Sequence, residues 1–99
     1  MAKIYAGSAN HVTESTTKTI HTGIGKLRSI LASVKLAGSG TITFYDNTSG
    51  SGAVLLVLGL SIYIAPQLYN FPTNTPLVFT TGLTIVTTAG AYCTVITEA

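Results

Sequence analysis

Tryptophan is absent from these 99 residues, cysteine occurs once, proline three times, and charge is scarce. Asp, Glu, Lys and Arg make up 8% of the chain, against about 25% in an ordinary soluble domain. Each shortage removes a class of protein. With Cys93 as the lone cysteine no intrachain disulfide can form, and its strand-like neighbours Tyr92, Thr94 and Val95 mark it as a buried, inert thiol. Three carboxylates, Glu14, Asp46 and Glu98, lie far apart, so an acid–base pair would have to be assembled wholly by the fold, and no enzyme is expected. His11 and His21 lack metal-pair spacing and have no Cys or acidic companion; neither a metal nor another cofactor is expected, and both read as surface or interface histidines. No basic run or Arg cluster exists and no aromatics are interleaved with the lysines, which argues against nucleic-acid binding. The longest apolar stretch, Ala53 to Ala65, is interrupted by Gly59 and Ser61 and too short to span a bilayer. The segment MAKIYAGSAN lacks a signal-peptide core, so no membrane association and synthesis in the cytoplasm are the expectations.

What is present is a β pattern. In Gly40 to Leu60, Ile42 and Phe44 fall on one face and Thr41, Thr43 and Tyr45 on the other, the period of a half-buried strand. Asp46 to Gly52 breaks the alternation. Asp46 and Asn47 can accept hydrogen bonds from the turn backbone, and Gly50 and Gly52 can take positive φ. A turn explains these residues better than a phosphate loop, since no Lys follows the glycines, or a calcium loop, since one carboxylate is too few. Ala53 to Leu58 then runs apolar on both faces, as a strand covered on both sides would.

The rest of the chain repeats this punctuation. Residues 1–12, with Ile4 and Tyr5 as the apolar anchors of the first ten, read as a weak strand or an arm and are set apart as an N-terminal arm, and residues 13–99 read as a single domain. Val12 to Thr22, rich in threonine, suits an exposed strand. Gly25 to Leu36 fits a helix through Leu27, Ile30, Leu31 and Val34, yet Ile30, Ala32, Val34 and Leu36 alternate; with strands on both sides, strand is preferred. Ser61 to Thr75 holds Pro66 and Pro72 and the aromatics Tyr63, Tyr69 and Phe71, an edge strand or a crossing between sheets. Leu77 to Thr80, Leu83 to Thr88 and Tyr92 to Thr97 read as strands separated by hairpin-like breaks at Thr81-Gly82 and Ala89-Gly90. The expected fold is all-β: an antiparallel β-sandwich, jelly-roll-like, with about eight short strands and an N-terminal arm.

A chain of this size buries roughly 64% of its unfolded surface. Low charge leaves little self-repulsion and some apolar surface open to partners. The few charges are uneven: Lys3, Lys18, Lys26, Arg28 and Lys35 against Glu14 give the first 35 residues +4, while Asp46 and Glu98 give the rest −2. The composition is that of an assembly protein. Ile4, Tyr5, Val54, Leu56, Leu58, Tyr63, Tyr69 and Phe71 are the candidate interface residues.

The stretches TITFYDNTSGSGAVLL and FTTGLTIVTTAGAYCTVITE, separated by the Pro and aromatic segment, resemble small virion structural proteins of tailed bacteriophages. The resemblance spans about residues 20 to 98 and contains no catalytic signature. It implies a head decoration, or cement, protein on the capsid surface, often a homotrimer, that binds the major capsid protein and stabilises the mature shell. Residues 1–12 would then grip the shell, and Ala53 to Leu58 would lie near the subunit interface. A tail, connector or fibre-base component is the alternative within that group. Outside it stands a carbohydrate-binding sandwich with Tyr63, Tyr69 and Tyr92 as its platform, which the lack of Trp weakens.

Overall fold

The structure, a computed structural model, describes residues 8–34, 39–61, 67–72 and 74–98. Alternating apolar residues and frequent Thr and Val dictate strands, and the described residues form nine of them with no helix. They are β1 (Ser8–Val12), β2 (Thr17–Thr22), β3 (Gly25–Val34), β4 (Ser39–Asp46), β5 (Ala53–Ser61), β6 (Gln67–Asn70), β7 (Leu77–Phe79), β8 (Gly82–Thr87) and β9 (Ala91–Glu98). All pairings are antiparallel. One sheet runs β1-β9-β3-β6 with β7 also on β3, the other β2-β8-β4-β5.

This order is that of a ribbon folded at its middle and then rolled. β1 pairs with β9, β2 with β8, β3 with β6 and β7, and β4 with β5. In each of these ladders the partners' numbers add to between 99 and 105, as in Ser8 with Thr97, Lys18 with Ile85, Ile30 with Tyr69 and Ile42 with Leu58. The pairings of β3 with β9 and of β4 with β8 close the roll into two sheets. The result is a jelly roll. Its tip is the turn between β4 and β5.

The core lies between the sheets. Leu27, Ile30, Ala32, Val34, Cys93 and Val95 point into it from one sheet and Ile42, Phe44, Leu58, Leu83 and Ile85 from the other. The alternation in Gly25 to Leu36 therefore decided its conformation. As a strand between β9 and β6 it buries Ile30, Ala32 and Val34 on one face, which a helix with the Leu27, Ile30, Leu31, Val34 stripe would not.

Three expectations change. Val12 to Thr22 is two strands, not one: Val12 ends β1 in the core, the chain turns through Ser15 at φ 53°, and β2 starts in the opposite sheet. The turn is held by Ser15 N–H donating to the Thr88 carbonyl (3.2 Å) and by Thr16 N–H donating to Thr87 Oγ1 (3.0 Å). Thr81-Gly82 and Ala89-Gly90 are corners rather than hairpin turns, because β7 and β8, like β8 and β9, belong to different sheets. Only β4 and β5 form a hairpin of neighbouring strands among the described residues. Finally, Ser8–Val12, set apart as part of an N-terminal arm with a weak strand as the other reading, is an edge strand on β9; residues 1–7 lie outside the described residues.

Candidate functional site

The hairpin tip does more than turn. Asn47 organises it locally, with Nδ2 donating to the Ser51 carbonyl (2.8 Å) and Oδ1 accepting from Thr48 N–H (2.8 Å). Gly52 takes φ 97°, whereas Gly50 shows no positive φ and is needed for close approach: a Cβ there would lie 2.9 Å from Val86 Cγ2 and 3.2 Å from Thr17 Cγ2. The tip thus folds back over the outer face of β8 and β2. Thr84 Oγ1 donates to the Asn47 carbonyl (2.9 Å), Thr19 Oγ1 donates to the Thr48 carbonyl (3.2 Å), and the two hydroxyls meet at 2.9 Å. Thr84 is fully buried beneath this roof.

Asp46, read from sequence as an acceptor for its own turn, serves a different corner. Its carboxylate accepts from Thr80 N–H (3.0 Å), Thr81 N–H (2.8 Å), Gly82 N–H (3.4 Å) and Thr80 Oγ1 (3.2 Å), pinning the β7 to β8 corner. These donors, the Thr81 amide foremost, hold its pKa below the ordinary 3.8. Because the corner is distant in sequence, no local pattern could announce it.

The expected interface residues separate. In the ladder, Phe44 stands opposite Leu56 and Tyr45 opposite Val54, so Leu55 is a bulge. It reverses the parity of the strand: Leu56 and Leu58 pack on the core, while Val54 and Val57 are each 53% exposed. Hence Ala53 to Leu58 is covered on one face only, and Val57, not singled out from the sequence, shares the open face with Val54. Tyr69, opposite Ile30, packs on the core, as does Phe71 in part. Ile4, Tyr5 and Tyr63 lie outside the described residues.

The other outer face is open. Across the five-stranded sheet, Ala9, Ile96, Ser29 and Asn70 form one row and His11, Thr94, Leu31 and Leu68 the next. Ile96, Leu31 and Leu68 are 41%, 46% and 62% exposed. A bulge at Arg28 displaces the register between Leu27 and Ser29, and its carbonyl accepts from Phe71 N–H (2.9 Å). There Arg28 Nε lies 3.3 Å from Glu98 Oε2 and Lys26 Nζ 4.0 Å from Glu98 Oε1. Together Ala9, Arg28, Ser29, Phe71, Ile96 and Glu98 line a shallow cleft of about 480 Å³, apolar in its floor with an ion pair at one end.

The histidines sit apart. His11 Nδ1 pairs with Thr94 Oγ1 (3.0 Å) and its ring meets the edge of Tyr92 at 6.1 Å; His21 Nε2 donates to the Ile24 carbonyl (3.0 Å) and its ring packs on Phe79. Among the described residues no cluster of His, Cys, Asp and Glu could hold a metal. Cys93 is buried, and burial pushes its thiol up to about 12. Among the described residues the tyrosines form no platform, since Tyr69 turns inward and Tyr92 is half-buried beside His11; Tyr63 lies outside them.

No protein-family profile matches the chain, and no curated protein matches it. Among solved structures it is similar to a chain of the virus-like particle of extra small virus from the giant freshwater prawn Macrobrachium rosenbergii. The identity is 13% and the TM-score 0.43, over 98% of this chain and 80% of that one. It is also similar to a chain of the disulfide-linked pili that form Bacillus endospore appendages. There the identity is 16% and the TM-score 0.45, over 100% of this chain and 96% of that one.

Proposed function

We propose that this chain is a structural component of a tailed-phage particle, a decoration protein that binds the mature head shell and stabilises it. The observation that carries the reading is the open outer face of the five-stranded sheet. There an apolar stripe of Ile96, Leu31 and Leu68 runs beside the Arg28–Glu98 pair, on a chain with 8% charged residues. Apolar side chains exposed in adjacent rows of one sheet face gain by being covered. The ion pair at the rim supplies orientation more than affinity. The partner is the major capsid protein, and the site of action is the capsid surface.

The mechanism is thermodynamic and needs no turnover. A protein that binds only the assembled, expanded shell stabilises that state by its binding free energy, repeated over many copies. Purified chain mixed with empty expanded heads should bind saturably at a fixed ratio to the shell protein and raise the temperature at which heads rupture. Binding to tails instead would move the proposal to a tail, connector or fibre-base role. A chain that binds neither sinks it.

A further inference from the structure

Among the described residues, four flanks of the two sheets end in strands with one free edge, and three of them are blocked. β1 has Lys18 Nζ on its His11 carbonyl (3.2 Å). β6 and β7 are four and three residues long. β2 carries Lys18 itself and an irregular register at Ile20. Lysines, shortness and irregularity are the usual means of preventing edge-to-edge pairing. β5 lacks them over most of its length. It has nine residues, AVLLVLGLS, with no charge and no proline, and its register on β4 is regular from Leu56 to Ser61.

We propose that β5 pairs antiparallel with β5 of a second copy of this chain, about a two-fold axis through Val57. The strand is self-complementary about that residue. Leu56 of one copy lies opposite Leu58 of the other, and both already face the core, so the two cores become continuous. Val57 meets its own copy on the outer face. The bulged Leu55 comes near Gly59, where nothing lies within 4 Å of the missing side chain, so the ladder is regular from Leu56 to Leu58 and has room for the bulge at either end. No like charges oppose one another anywhere along the ladder. Each four-stranded sheet becomes half of an eight-stranded one, and the backbone groups of β5 that pair with no described strand are satisfied. The pairing is independent of any binding to heads, so either can fail alone.

Light scattering of the purified chain tests it. The expected mass is twice the chain's 10.2 kDa, or an even multiple; a monomer or a trimer overturns the pairing. Val57→Lys, at a half-exposed position where circular dichroism should show the fold intact, sets two ammonium groups against each other across the axis. Dimerisation should weaken by about a hundredfold. Val57→Cys should give a covalent dimer on mild oxidation, since the residue faces itself, whereas Val78→Cys on the other sheet should not; Cys93 is buried and does not compete. An assembly that survives Val57→Lys, or that fails to cross-link through Val57→Cys, excludes this interface.

Discussion

The outer face of the four-stranded sheet is partly roofed by the chain's own turn, whereas the described residues leave the outer face of the five-stranded sheet bare, although both sheets feed one core. On the roofed side threonines meet backbone carbonyls of the turn, and Thr84 is sealed from water. On the bare side Leu31, Leu68 and Ile96 stand exposed with an ion pair beside them. The difference separates two uses of the same kind of strand. Where the chain closes on itself, side chains are committed to stability. Where it does not, they can be replaced with little effect on the fold, and they remain available to a partner.

Substitutions on the two faces should therefore differ in size. The largest effect is expected at Gly50, where a valine would drive its Cβ against Val86 and Thr17. Gly50→Val should lift the roof and lower unfolding free energy in denaturant by about 2 kcal/mol. Loss of no more than a few tenths of that would mean the roof rests loosely. Next comes Asp46→Asn, which weakens the clamp on the β7 to β8 corner. Discounted for solvent exposure, the cost is about 1 kcal/mol.

The sign of the pH dependence follows from the lowered pKa. The carboxylate binds its proton less readily when folded than when unfolded, so its contribution is present above 3.8 and lost as pH falls through the folded value. Melting curves from pH 6 to pH 2 should fall more steeply for the parent than for Asp46→Asn. Parallel curves would remove the clamp. On the bare face, Arg28→Ala should cost less than about 1 kcal/mol, as a partly exposed pair does. Smallest in stability, within about 0.5 kcal/mol, is the double change Leu31→Ser with Leu68→Ser. It should nevertheless abolish binding to heads; retained binding would take this face out of the proposed function.

Much of the fold was legible because period and punctuation are local. The alternation of Ile42 and Phe44, the breaks at Asp46 to Gly52 and at Ala89-Gly90, and the buried setting of Cys93 all needed only neighbours in sequence. What was not legible depends on distant partners. Thr81-Gly82 has the composition of a hairpin turn, and only the sheet membership of β7 and β8 makes it a corner. Asp46 finds its donors at residues 80 to 82. That Leu56 and Leu58 face the core while Val54 and Val57 face solvent was not legible, because one bulge at Leu55 reverses which parity is exposed. Ile96 and Leu31 look like core residues in sequence, and nothing nearby in the chain indicates that their side of the sheet is left uncovered.

The folded ribbon also sets an order of events as the chain collapses. Asp46 and Ala53, at the tip, are separated by 7 positions (46 to 53), while Ser8 and Thr97 are separated by 89 (8 to 97). Closing the longer loop directly from an open chain costs about 2 kcal/mol more than closing the shorter one. If the tip zips first, each later pair closes only a small extra loop, so pairing should proceed outward from the roof-forming turn and reach β1 and β9 last. The amides of β1 should then be the first to exchange with solvent, and those of β4 among the slowest.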